Sequence, residues 1–312
     1  MATSSAKSII RNIKIASALA IIGLSLGIVY LSTQATKEGT RLASQASKAP
    51  SFTCNVGGWT PLSAWTGINT PIGVAVDIYD NVWVVSDSDH LLRKYDSQGN
   101  ILANTPLGTS QVWGVETDSL GNVYVALRTG MVFKYDNNGT PTKKLTGLTE
   151  VTNIYPFRDT LYVIDVVAGT EYVKLFNLNT FAYIRTLPNN FDDTKDIIVH
   201  TPIKSVGGEI LTTRSYNQVG SIKRFDIDGN FINEFANSDT NFLARDTAGN
   251  IYVTVGNLNL VRKYSSSGTL LESISNSFSA PRGIALSNKG FRLYVADRNH
   301  DSIKRFACTS PQ

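Results

Sequence analysis

Residues 91–100 read LLRKYDSQGN, and this pattern of basic residues, an aromatic and a turn returns five more times along the chain. The later copies are MVFKYDNNGT ending at Thr140, YVKLFNLNTF ending at Phe181, SIKRFDIDGN ending at Asn230, LVRKYSSSGT ending at Thr269 and SIKRFACTS ending at Ser310. Their aromatics, Tyr95, Tyr135, Phe176, Phe225, Tyr264 and Phe306, lie 40, 41, 49, 39 and 42 residues apart. A fixed period of about forty residues is the mark of a repeat architecture. Upstream of each aromatic stands a second element rich in β-branched and aromatic residues, as in NVWVVSD from Asn81, NVYVAL from Asn122, TLYVID from Thr160, EILTTR from Glu209, NIYVTV from Asn250 and RLYVAD from Arg292. A turn such as Leu120-Gly121-Asn122 precedes it, and before the turn comes another short apolar run. Each unit therefore reads as four short strands joined by hairpin turns.

Val82-Trp83-Val84-Val85 places apolar side chains on both faces of the second strand, which suits a sheet covered on each side by neighbours. The expected fold is all-β: a six-bladed β-propeller of four-stranded blades over residues 51–312. The sixth copy ends before supplying an outer strand, whereas GGWTPLSAWT, residues 57–66, resembles the outer strands of other copies. An N-terminal strand is thus expected to close the ring. That closure brings Cys54 and Cys308, the chain's two cysteines, close together, and in an exported protein it favours a disulfide over two unpaired thiols.

The repeat resembles the NHL family of six-bladed propellers over roughly residues 57 to 312. The last copy carries the resemblance best, with Ala280-Pro281-Arg282-Gly283-Ile284-Ala285 followed by Leu293-Tyr294-Val295-Ala296-Asp297-Arg298-Asn299-His300-Asp301. Asn299-His300-Asp301 keeps two letters of the family's name triplet, and Asp89-His90-Leu91 keeps a different two. Copies three and four depart from the pattern around Tyr155-Pro156 and Val206-Gly207-Gly208.

The chain has 312 residues, of which 42% are hydrophobic and 17% charged, with a formal charge of +4. Lys7, Arg11 and Lys14 precede an uncharged apolar run, IASALAIIGLSLGIVYL, from Ile15 to Leu31, and the polar stretch from Ser32 to Pro50 follows. Seventeen residues of helix span about 25 Å, a little short of a bilayer's hydrocarbon core. The reading is a basic segment at 1–14, one hydrophobic helix at 15–31 acting as signal anchor or signal peptide, and a flexible linker at 32–50. Basic residues ahead of the apolar run hold the N-terminus inside, so the large domain is expected outside the cytoplasm, membrane-anchored, or secreted if the segment is cleaved. Residues 1–50 carry six Lys/Arg and one Glu, so the remainder has a net charge of −1. The basic balance belongs to the export segment, and no nucleic-acid partner is expected.

Propeller ligands gather at the mouth of the central channel. Counting back from the turn before each second strand puts Ile72, Trp113, Val151, His200, Asn241 and Arg282 at one repeat position, where the chain enters the innermost strand. Trp113, His200, Asn241 and Arg282 are the candidate ligand-binding residues, able to hold an anionic or carbohydrate-like ligand by charged hydrogen bonds and stacking, or else to fill the channel. His90 and His300 share a turn position and read as structural. Peptide-amidating lyases, which have a similar repeat, place histidines on zinc where Ile72, Trp113 and Arg282 stand here. Gluconolactonase-like hydrolases gather carboxylates and an amide on a divalent cation; Asp87, Asp165 and Asp297 at second-strand ends could supply oxygens, or could equally serve as turn caps. The expectation is a non-catalytic module with a protein or glycan partner, no cofactor and no metal site. The alternative is a lactonase- or esterase-like hydrolase or a lyase using a divalent cation. The third-strand basic residues, among them Lys94, Lys134 and Lys263, read as solvated blade edges that discourage edge pairing.

Overall fold

The computed structural model describes residues 53–188, 191–201, 208–216, 219–236 and 238–310. The basic segment, hydrophobic helix and linker expected at 1–14, 15–31 and 32–50 lie outside them. Among the described residues no helix is long and apolar enough to cross a membrane. The described residues form six antiparallel sheets of four strands each, a six-bladed β-propeller. The inner strands, Pro71–Val76, Val112–Thr117, Val151–Phe157, Thr194–His200, Thr240–Arg245 and Pro281–Leu286, touch their neighbours in a closed circle around the axis.

Burial follows the position of a strand in its blade. Every residue of the second strands Val82–Ser86, Val123–Leu127 and Ile251–Val255 is buried, because each is covered by a neighbouring blade on both faces. The outer strand Ile101–Pro106 alternates between exposed and half-buried. The core accordingly lies between blades, where Trp83, Val85 and Leu92 of blade one pack against Val115, Val125 and Tyr135 of blade two.

An aspartate fixes the turn into several second strands. Asp77 Oδ1 accepts the N–H groups of Tyr79 and Asn81 at 2.9 and 3.0 Å, and its Oδ2 accepts the indole N–H of Trp83 at 3.0 Å. Asp118 repeats this with the N–H groups of Leu120 and Asn122 and the hydroxyl of Tyr124 at 2.9 Å, and Asp246 with Asn250 and Tyr252. Side-chain acceptance of N–H groups two and four residues on is the aspartate turn that competes with strand pairing and ends it. The same carboxylate anchors the large aromatic of the next strand, so turn and core are tied together.

The third-strand basic residues are not solvated edges. Lys94 and Lys263 are 7% and 2% exposed, with their ammonium groups 5.1 and 5.4 Å from the ring centres of Trp83 and Tyr252. Lys94 Nζ donates to the carbonyl and side-chain oxygens of Asn137, at 2.6 and 2.7 Å, in the outer turn of the next blade. Arg224 reaches Ser266 O in blade five at 2.6 Å, and Lys263 reaches Cys54 O beside the ring closure. A buried ammonium needs such partners, since an unpaired one costs several kcal/mol. Sequence alone registers the charge but not the neighbouring turn that receives it.

Trp59–Thr66 forms the outer strand of the sixth sheet, antiparallel to Ser302–Cys308, with Trp59 opposite Cys308 and Thr66 opposite Ser302. Cys54 and Cys308 form a disulfide across a sequence separation of 254. Loop-closure entropy for so long a crosslink is about 5 kcal/mol as an upper figure. Replacing both cysteines with serine is therefore expected to destabilise the domain by about 2–5 kcal/mol. Chemical denaturation would show an earlier midpoint, matched by the wild-type chain in reductant, whereas superimposable curves would mean that strand pairing alone closes the ring.

Candidate functional site

At the entry of every inner strand the pairing shifts so that the inner strand carries one residue more than the second strand. The shifts fall between Pro71 and Gly73, Val112 and Gly114, Val151 and Asn153, Thr194 and Asp196, Thr240 and Leu243, and Pro281 and Ile284. A bulge leaves one residue unpaired and re-aims its side chain. The bulge positions hold Ile72, Trp113, Thr152, Lys195, Asn241 and Arg282. Sequence counting finds four of these six. Val151 lies one residue early, and His200 lies at the far end of its strand, opposite Glu209.

The displacement of His200 has a physical origin. In blades one, two and five a five-residue connection built on the aspartate turn joins inner to second strand, whereas in blade four residues 201–208 intervene, so a fixed count back from Gly208 stops short of the strand's entry. His200 Nε2 sits 3.0 Å from Glu209 Oε2, and Arg224 Nε sits 3.2 Å from the other oxygen of that carboxylate. That triplet belongs to the end of the blade away from the bulges.

The other three candidates come together. Trp113 and Arg282 line one cavity of about 240 Å³, and Asn241, only 4% exposed, accepts a hydrogen bond from the Arg282 guanidinium at 3.1 Å. Asn241 therefore holds Arg282 without itself lining the cavity. Burial and the neighbouring Arg298 push the pKa of Arg282 down from its ordinary value, with Asp239 opposing. Three further residues that the sequence count does not single out for the mouth complete the wall: Asp87, Arg128 and Arg298. Asp87 and Arg128 immediately follow their second strands and Arg298 follows Asp297, so they share a repeat position and an alignment on that position would have found them. Arg128 is tied down by Glu150 at 2.7 Å and Gln111 at 3.1 Å, with its guanidinium 5.9 Å from the Trp113 ring centre.

Asp165 and Asp297, the other second-strand carboxylates, act as caps. Asp165 accepts the N–H groups of Thr149 and Glu150 and pairs with Lys174 at 2.6 Å. Asp297 accepts the N–H of Ser279 at 2.6 Å and meets His300 Nδ1 at 2.8 Å. Asp87 lies one residue further on, in the mouth, and its Oδ1 is buried without a hydrogen-bond partner. Among the described residues no three His, Cys, Asp or Glu side chains are grouped so as to hold a metal ion.

Deeper in the channel, a smaller cavity of about 150 Å³ is lined by Glu116, Tyr155 and Arg245. Beside it Asp196 accepts from Asn153 Nδ2 at 2.5 Å, Leu243 N at 2.7 Å and Ile197 N at 2.8 Å. Burial outweighs these donors and pushes the pKa of Asp196 up to about 7. Burial, with the nearby Asp196 charge, also raises Glu116 well above the ordinary carboxylate range. Both groups hold protons in the folded state that the unfolded chain releases near pH 4.

The chain matches no protein-family model, and no curated protein is significantly similar to it.

The channel carboxylates fix a sign for the pH dependence. Raised folded-state pKa values contribute stability that is complete below about pH 4 and is lost as pH rises through about 7. The melting temperature is expected to fall between pH 5 and pH 8, and Glu116→Gln, which cannot ionise, is expected to shallow that fall. Parallel melting curves for the two proteins across the range would contradict the assignment.

Proposed function

We propose that this propeller is a non-catalytic binding module, NHL-like in its repeat and exported or membrane-tethered, which engages an anion-bearing protein or glycan partner through the channel mouth. The observation that carries the reading is the gathering of Arg128, Arg282 and Arg298 around one cavity with Trp113 in its wall. Guanidinium groups make bidentate, charge-assisted hydrogen bonds to carboxylate, sulfate or phosphate, and an indole adds a broad apolar contact at small entropic cost. The disulfide is consistent with an extracytoplasmic domain.

Retention of the full-length chain on heparin, as an immobilised polyanion, tests the reading. Arg282→Ala is expected to lower the salt concentration needed for elution clearly more than Lys134→Ala, whose ammonium lies over Tyr124 away from the mouth. Equal shifts for the two variants would move the binding surface to the blade edges and refute the mouth.

A further inference from the structure

The mouth is not simply cationic. Arg282 and Arg298 lie close enough for their like charges to oppose each other, and among the described residues Arg298 forms no ion pair. Yet the same cavity contains Asp87, whose Oδ1 is shielded from solvent and accepts nothing. A buried carboxylate oxygen left without a donor is costly, and elsewhere at the second-strand ends Asp165 and Asp297 spend theirs on backbone N–H groups. The loop N–H groups equivalent to those that cap Asp165 are already served by others in blade one: Asn69 N donates to Asp89 at 3.1 Å, and Thr70 N to Asp301 at 2.8 Å. The cavity therefore offers a ligand two unmatched demands, an anion beside the guanidiniums and a hydrogen-bond donor at Asp87. The pocket also has apolar wall from Ile72, Trp113 and Phe242.

From this juxtaposition we infer that the mouth recognises an acidic sugar, with the uronate carboxylate on Arg282 and Arg298 and a ring hydroxyl donating to Asp87. The inference rests on the mouth reading above and narrows it to glycan. A hexuronate carries its carboxylate and hydroxyls on one rigid ring, so it meets two fixed demands with little ordering cost. The C–H face of such a ring suits the apolar wall. A cavity of about 240 Å³ lies just under the usual small-molecule range and takes one ring rather than a chain segment. A bare anion leaves Asp87 unmatched, and a second carboxylate, as on an acidic peptide, is repelled by it.

Calorimetric titration of the full-length chain with glucuronate, glucose, acetate and alanine separates these cases. Glucuronate is expected to bind at least tenfold more tightly than each of the other three. Arg298→Ala is expected to weaken glucuronate and acetate alike, whereas Asp87→Asn weakens glucuronate at least fivefold and leaves acetate unchanged or tighter. Unchanged melting of both variants shows that the fold persists. Acetate equal to glucuronate would reduce the mouth to a plain anion site, alanine equal to it would make the ligand a zwitterion, and undiminished glucuronate binding by Asp87→Asn would remove the hydroxyl contact; each overturns the inference. If glucuronate fails while Arg282→Ala still impairs heparin retention, the acidic-sugar inference falls and the mouth reading stands.

Discussion

A propeller holds together only if its first and last sheets cover each other, because every blade buries its second strand against two neighbours. In an open array the end blades would expose strands as apolar as Val82–Ser86, whose residues are all buried here. The pairing of Trp59–Thr66 with Ser302–Cys308 removes that exposure by making the sixth blade from both ends of the domain. The disulfide then restricts the unfolded chain, while the Lys263 contact to Cys54 O ties the fifth blade to the same joint. The mouth cavity is built from blades five, six, one and two: Phe242, then Arg282 and Arg298, then Ile72 and Asp87, then Trp113 and Arg128. It straddles the joint, so its geometry exists only in the closed ring.

In blades one and five the sheet is tied to its neighbour by the same pair of devices. The aspartate turn fixes where a second strand begins and grips its aromatic, and the third-strand cation then lies over the same aromatic and reaches the next blade. In blade one the chain of contacts runs from Asp77 to Trp83, from Trp83 to Lys94, and from Lys94 to Asn137. Asn137 in turn donates to Asp77 at 2.8 Å, which closes the circuit across two blades. Burial pushes the Asp77 carboxyl up, but hydrogen bonds from Asn81, Trp83 and Asn137 outweigh it and hold its pKa below the ordinary value. The carboxylate is thus ionised where the neighbouring lysine needs a counter-charge.

Much of this was legible in the sequence because the period of the third-strand motif counts blades directly, and because a missing outer strand at one end must be supplied by the other. The mouth was only partly legible. Counting by period works where turns have constant length, which is why Trp113, Asn241 and Arg282 were found. It misplaced His200 because residues 201–208 lengthen one connection. Arg128 and Arg298 escape that count because they stand just after second strands, a repeat position on which it is not aligned. Only the ring geometry shows that these turns converge with the bulges. Lys94 and Lys263 were misread for a related reason, since composition registers a cation without showing the carbonyl that receives it in the next blade.

Charge distribution bears most directly on specificity. Residues 51–312 have a net charge of −1, so the domain as a whole exerts no attractive long-range pull on an anion. The positive charge at the mouth is local, coming chiefly from Arg282 and Arg298 since Arg128 is paired with Glu150, and is screened beyond roughly 10 Å at ordinary ionic strength. As the proposed binding site, the mouth would select by contact more than by steering. The Asp87 carboxylate sharpens this, because it subtracts from the attraction of any anion that brings no donor. A purely electrostatic site would be better without it; a site that must distinguish one acidic ligand from bulk anions gains from its presence.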